Sequence, residues 1–225
     1  MINDKKVLAI TLARGGSKRV PKKNIADING KPLIEYTFSE VKKSKYIDTY
    51  IVSTDDEEIA KVCEKNQVLV KMRPPQFAKD TSTSAESLID CARNFQGYDY
   101  IVEIMCTNPL KTVEDIDGAI NKLDESSADS VVSVVRIWDH HPSRVKYLEG
   151  DRMMDFYPEI PESRRQDLTP AAYVRNGSIY ATTATSLYEN KIRLGLDTRA
   201  YIMPEERTIN IDEPIDLQLA RLLLR

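Results

Sequence analysis

Arg14, Lys18, Arg19, Lys22 and Lys23 fall within the eleven residues Arg14–Asn24, interleaved with Gly15, Gly16 and Ser17. With 32 Lys and Arg in 225 residues, an average window of that length holds about one or two. No acid interrupts the run before Asp27, and the apolar stretch Val7–Ala13 precedes it. A strand emptying into a Gly-rich, cation-dense loop presents backbone N–H groups and fixed positive charge at one point, as a polyphosphate requires. In that chemistry Arg14 and Lys18 would neutralise phosphate oxygens as a pentavalent centre forms, while Lys23 and Asn24 hold the far end. The loop is neither a P-loop nor a dinucleotide fingerprint, because GxxxxGK[ST] and GxGxxG are both absent. Composition alone leaves a solvated basic turn equally open.

Other polar residues gather where apolar runs end: Ser53-Thr54-Asp55, Arg73-Pro74-Pro75, Cys106-Thr107-Asn108-Pro109 and Arg136. Ligands of open parallel sheets bind beyond the carboxyl ends of the strands, so these positions describe one polar crevice. Asp55 reads as a helix cap rather than a ligand. His140 and His141 are adjacent, so in an extended segment they point to opposite sides. With no third His or spaced Cys, a packing or subunit-interface role is expected of them, not zinc binding. Cys63, Cys91 and Cys106 are odd in number and lack CxxC spacing, which argues against disulfides and for a reducing compartment.

The elements that must position these residues alternate. Val7–Ala13, Thr49–Thr54, Val68–Met72, Tyr98–Met105, Ser130–Val135 and Asn176–Thr182 read as strands. Pro32–Lys43, a segment from Asp55 through Asn66, Ser84–Phe95, Val113–Asp124 and Pro214–Leu224 read as helices. Capping-box spacing appears at Asp55/Glu58 and Thr83/Glu86, and Thr112 and Asp115 open the fourth helix. Leu217, Leu219, Ala220, Leu222, Leu223 and Leu224 of the last helix are expected to pack on the sheet. Runs apolar on both faces and separated by helices indicate a buried parallel sheet. The expected class is α/β, doubly wound and mostly parallel, as a single domain over residues 1–225. Residues 137–172, with Trp138, four prolines and four arginines, break the rhythm. They read as an inserted excursion that covers the site or pairs with a second subunit.

The 35 acids against 32 bases, net charge −3, make the basic loop a local site and give no reason to expect a nucleic-acid partner. No stretch reaches the length of a membrane span, and the apolar run before Arg14 is too short for a signal helix. A soluble, cytoplasmic protein is expected.

Leu12–Asn24, L-A-R-G-G-S-K-R-V-P-K-K-N, resembles the opening signature LARxxSKxxPxKN of the acylneuraminate cytidylyltransferases, the CMP-sialic acid synthetase family. The likeness recurs in order at Ile51–Asp55, Arg73-Pro74, Asp80–Ser84, His140–Pro142, Arg165–Leu168, Arg175–Tyr180 and Ile211–Leu217. Members of that family join CTP to a nine-carbon 2-keto acid sugar, giving a CMP-sugar and pyrophosphate. The resemblance implies a triphosphate cradle of Arg14, Ser17, Lys18, Lys23 and Asn24, with Leu12, Ala13, Gly15 and Gly16 around the nucleotide. It implies a cytidine pocket at Arg73, Asp80, Thr81 and Ser82. The acid sugar's carboxylate falls to Arg144 and Arg165, for which an arginine fork is the natural partner, with Asn176 for an amide or hydroxyl. A Rossmann-like nucleotidyltransferase fold and a homodimer built through the excursion are further expectations.

Nucleotidyl transfer needs charge neutralisation, usually by Mg²⁺ on one or two carboxylates. The family carries Asp-x-Asp before its last helix; here the residues are Asn210-Ile211-Asp212. Asp212 is therefore expected both to hold the metal, with Asn210 as a neutral second oxygen, and to cap the helix at Pro214. After the fourth strand the family commonly shows QPTSPLR where this chain has Met105–Lys111, M-C-T-N-P-L-K. Met105 removes an amide and Lys111 replaces an arginine. No side chain stands out as a general base. The same reaction on Kdo or another carboxylated acceptor, or a silent nucleotide-binding relative, are the alternatives.

Overall fold

The computed structural model describes residues 1–79, 81–158 and 164–224. Seven strands form the main sheet: β1 (Val7–Leu12), β4 (Thr49–Thr54), β5 (Leu69–Met72), β6 (Tyr100–Ile104), β7 (Ser130–Ile137), β10 (Ala172–Thr183) and β11 (Thr198–Ile202), in the order β11-β7-β10-β6-β1-β4-β5. Two short hairpins stand apart, β2 (Asp27–Ile28) with β3 (Lys31–Pro32), and β8 (Lys146–Glu149) with β9 (Arg152–Asp155). The helices are α1 (Leu33–Val41), α2 (Glu57–Lys65), α3 (Ser84–Ala92), α4 (Val113–Ser126), α5 (Ala184–Asn190) and α6 (Pro214–Leu223).

The strands alternate their side chains between two covered faces. On one face Val7, Ala9, Val102 and Ile104 pack against Ile116, Ala119 and Ile120 of α4, while Val52 meets Phe38 of α1 and Ile59 of α2. On the other, Leu8, Ile10, Ile51 and Ile101 pack against Leu88 of α3 and Leu187 of α5. This is the doubly wound α/β architecture expected. Truncating a wholly buried residue such as Leu8 to Ala would cost about 2–5 kcal/mol.

Only β10 runs against the rest, pairing antiparallel with both β6 and β7. Parallel return needs a crossover across the sheet face. The excursion between β7 and β10 instead supplies the hairpin β8–β9 and no helix longer than a single 3-10 turn among the described residues. Within β10 the register shifts between Arg175 and Tyr180, with Gly177 at φ +62°. That bulge turns Asn176 inward, the role a glycine in left-handed conformation commonly plays.

Three local expectations are corrected. Asp56, not Asp55, caps α2, its Oδ1 accepting from the N–H groups of Glu58 and Ile59. Glu213, not Asp212, opens α6, where Asp216 accepts from the N–H groups of Asp212 and Glu213. The capping boxes at Thr83/Glu86 and Thr112/Asp115 stand as expected. α6 does not lie on the sheet: only Ala220 is buried, in a satellite cluster with Ile28, Leu33, Ile209 and Ile211. Leu219, Leu222 and Leu223 are exposed.

Candidate active site

The basic loop is built by what it must pass. Ala13 donates its N–H to Ser53 O, carrying the sheet one residue beyond β1, and Gly15 then donates to Asp55 Oδ1 at 3.0 Å. A Cβ on Gly15 would lie 2.4 Å from Asp56 Oδ2 and 2.8 Å from its Cβ, so only glycine fits beside the α2 cap. Asn24 is buried; its Nδ2 donates to Arg14 O at 2.9 Å, and its Oδ1 accepts from Cys106 Sγ at 3.2 Å. It therefore holds both ends of the loop to the end of β6.

Acids remote in the sequence answer several of the loop's cations. Lys22 donates to Glu58 Oε1 at 2.5 Å, Arg19 to Glu213 Oε1 at 2.8 Å and Lys23 to Asp212 Oδ1 at 2.9 Å. The first two pairs are exposed and add little stability. Lys23 is the more enclosed, and it faces a cavity of about 520 Å³ together with Arg14, Ser17, Lys18 and Asp212.

The far end of the same cavity runs under the start of α3. Arg73 is buried there, its Nε donating to Ser53 Oγ at 3.1 Å and its Nη2 to Ser53 O at 2.7 Å. Burial lowers its pKa, against the pull of Asp55, Cys91, Glu103 and Asp90. Ser82, bonded to Gln76 O, lines the wall with Phe77 and Ser87. Glu103 forms part of the floor; burial raises its carboxyl pKa, while Arg193 and Arg73 draw it down.

Between these ends stand Met105, Thr107 and Asp212. Lys111 is buried beneath them and donates to Thr37 Oγ1, Met105 O and Asn108 O at 2.8, 2.9 and 2.6 Å. It thus ties down the turn after β6, and burial lowers its pKa to about 8. Burial also raises the thiols of Cys63, Cys91 and Cys106 to about 12, 11 and 11, which removes them as nucleophiles.

Asn210 Nδ2 donates to Asp212 Oδ2 at 2.5 Å, while Asn210 Oδ1 is buried with no hydrogen-bond partner among the described residues. Asp212 lines the cavity, and the orphaned amide oxygen of Asn210 is buried behind it; a carboxylate and an amide oxygen are the hard-oxygen donors that suit Mg²⁺ when phosphate oxygens and water complete the set. Among the described residues no three His, Cys, Asp or Glu side chains cluster as a metal site of their own.

A cytidylyltransferase family model matches residues 8–150, more than half the chain. The chain belongs to the cytidylyltransferase family. It is 32% identical to N-acylneuraminate cytidylyltransferase B of Danio rerio, over 94% of this chain and 50% of that protein. It thus spans about half the length of that relative. It is also 30% identical to a pseudaminic acid cytidylyltransferase of Campylobacter jejuni, over 98% of this chain and 97% of the other. Among solved structures, a CMP:2-keto-3-deoxy-manno-octonic acid synthetase complexed with CTP superposes with a TM-score of 0.73 at 20% identity, covering 97% of this chain and 98% of its own. A 4-diphosphocytidyl-2C-methyl-D-erythritol synthase of Anaerococcus prevotii superposes at 0.66 with 18% identity, over 98% of both chains. Both likenesses establish the nucleotidyltransferase fold.

In this chain the cavity gathers Leu12, Arg14, Ser17, Lys18, Lys23, Asn24, Arg73, Ser82 and Asp212 from the residues expected. Ala13, Gly15 and Gly16 shape the loop without lining the cavity, Thr81 is exposed beside it, and Asp80 lies outside the described residues. The three residues expected at the sugar do not line the cavity. Asn176 is buried, its Oδ1 accepting from Ser133 Oγ at 2.6 Å and its Nδ2 facing Met203 Sδ at 3.0 Å. Arg165 is exposed and pairs with Asp139 at 3.4 Å, and Arg144 sits on a 3-10 turn of the excursion. His141 is a packing residue, its ring nitrogens bonded to Ser143 Oγ and Pro170 O. Glu103 went unread in the sequence; the available signal was a lone acid inside an apolar strand, between Val102 and Ile104. No helix among the described residues is long and apolar enough to cross a membrane.

Proposed function

We propose that this chain transfers CMP from CTP to the anomeric hydroxyl of a nonulosonic, sialic-type acid and releases pyrophosphate. The observation that carries the reading is the shared cavity: Arg14, Lys18 and Lys23 of the first loop face Asp212 at one end, and a small pocket under α3 closes the other. The hydroxyl oxygen attacks the α-phosphorus in line, and the bond from that phosphorus to the bridging oxygen breaks. That oxygen leaves with pyrophosphate, and the hydroxyl proton passes to solvent. Arg14 and Lys18 stabilise the equatorial oxygens, Lys23 the departing pyrophosphate, and the rigid loop holds these charges ready. Mg²⁺ is the expected cofactor; Asp212 and Asn210 would hold it, and when bound it neutralises phosphate charge.

Arg144 and Arg165 are assigned to the acceptor's carboxylate, and Asn176, bonded to Ser133, holds the β10 bulge. The excursion supports a homodimer, because Leu148, Met153, Phe156 and Tyr157 expose their apolar side chains there. Light scattering checks that assembly. A cytoplasmic setting fits the three unpaired thiols.

Pyrophosphate release with CTP, Mg²⁺ and a panel of sialic, legionaminic, pseudaminic and Kdo acids tests the reading. Turnover on Kdo alone would move the acceptor to the eight-carbon acid, and no turnover with any acid would sink the transferase. Asn210 favours a second reading, a silent nucleotide binder, since an amide brings the metal no charge. CTP binding without turnover, with turnover restored by Asn210→Asp, would select it.

A further inference from the structure

We propose that Glu103 selects the nucleobase, admitting a pyrimidine with an exocyclic amino group and rejecting one with a carbonyl at that position. The inference rests on the CTP reading above. On β6 the alternation puts Glu103 on the same face as Ile101, which packs with Leu8, Ile10 and Leu88. An acid there, 1% exposed and at the cavity floor, is out of place as packing. A buried ion pair is weak evidence of stabilisation, because apolar replacements often serve as well or better.

The carboxylate is held in a fixed direction. Tyr180 of β10 is its direct cross-strand partner. Arg193 joins the two, donating Nη1 to Glu103 Oε2 at 2.7 Å with its guanidinium 4.2 Å over the Tyr180 ring. Among the described residues Oε1 receives no hydrogen bond, and it is not one of the buried oxygens sealed off without a partner. It is therefore open to the cavity. Across the floor Arg73 spends Nε and Nη2 on Ser53, and Nη1 makes no hydrogen bond among the described residues.

An acceptor and a donor on one floor match one pyrimidine edge. Cytosine offers an N4 amino donor beside acceptors at N3 and O2, and a carboxylate is a natural partner for that amino group. Uracil offers O4 and N3–H instead, setting oxygen against carboxylate and N–H against guanidinium. Sites with committed polar groups reject such mismatches far more strongly than apolar pockets reject a missing methylene.

The test compares kcat/KM for CTP and UTP, by pyrophosphate release, in wild type and Glu103→Gln. The Gln amide can turn its N–H₂ toward O4, so the CTP:UTP ratio should fall at least tenfold while UTP use rises in absolute terms. A folded Glu103→Gln that loses CTP and UTP use equally, or neither, would make Glu103 structural and overturn the proposal. If that variant does not fold, wild type is titrated with the triphosphate of 2-pyrimidinone riboside, which lacks the amino group. Binding at least tenfold weaker than CTP is expected, and equal binding overturns selection through that group. Failure of wild type to bind or use CTP at all would instead defeat the CTP reading itself.

Discussion

Lys23 Nζ lies 2.9 Å from Asp212 Oδ1, although 189 residues separate the two in the chain. The pair closes one end of the cavity, the end proposed to hold phosphate, with a cation from the first loop and an anion from the approach to α6. A triphosphate bound as proposed would compete with Asp212 for Lys23, whereas a metal ion on Asp212 would release Lys23 toward the phosphates. Asp212→Asn therefore separates binding from chemistry. Without metal, removing a negative charge beside a polyanion should tighten CTP binding severalfold. With Mg²⁺, turnover should fall about a hundredfold or more, the scale seen when one transition-state contact is lost. Calorimetry in chelator and pyrophosphate release in Mg²⁺ read the two effects.

Lys18 is exposed at the cavity mouth and belongs to no buried cluster. Lys18→Ala should lower turnover by about 10²–10³ and leave the melting temperature within about two degrees of wild type. A matching loss of stability would mean that the loop uses Lys18 to fold.

Gly15 and Gly16 make an internal control. A Cβ on Gly15 meets the Asp56 carboxylate and Cβ, whereas one on Gly16 meets nothing within 4 Å. Gly15→Ala should push the loop from α2 or strip its cap, at about 1–2 kcal/mol, and weaken CTP binding at the same time. Gly16→Ala should change neither. Thermal melts and CTP titration of both variants check the contrast.

Lys111 gives a pH dependence with a definite sign. Its pKa falls from 10.5 to about 8 on burial, so between those values the unfolded chain binds more protons than the native one. Native stability due to this group is lowest below about pH 8 and rises toward pH 10.5. Denaturant melts across that range should show wild type gaining on Lys111→Met as pH rises. An unchanged difference would mean that three acceptors keep the ammonium charged throughout.

The parts of the fold legible in the sequence were those governed by local rules. β1, β4, β6 and β7 show as apolar runs because both faces of the sheet are covered, and Thr83/Glu86 shows as a cap because its spacing is local. β11 and α5 were missed: β11 is a half-exposed edge strand containing Arg199, and α5 is only seven residues long. The leucines of α6 misled because they surround the helix, so their period could not say which side is covered. Asp55 and Asp56 both satisfy a cap at the level of residue type, and only the path of the Gly15 loop assigns them different work. The same limit applies to the site. The cation loop is written in consecutive residues, but the acids opposing it and the Arg193–Glu103 contact depend on tertiary approach.

The distance along the chain between Lys23 and Asp212, and between Arg19 and Glu213, also sets an order in time. Translation runs at about 5–20 residues per second, so the 189 residues after Lys23 take roughly 10–40 s to follow it. Throughout that interval Asp212 and Glu213 have yet to be made, so the contacts that answer Lys23 and Arg19 cannot form. The proposed grip on phosphate thus stays incomplete long after its own cations have been made, and waits on residues far along the chain.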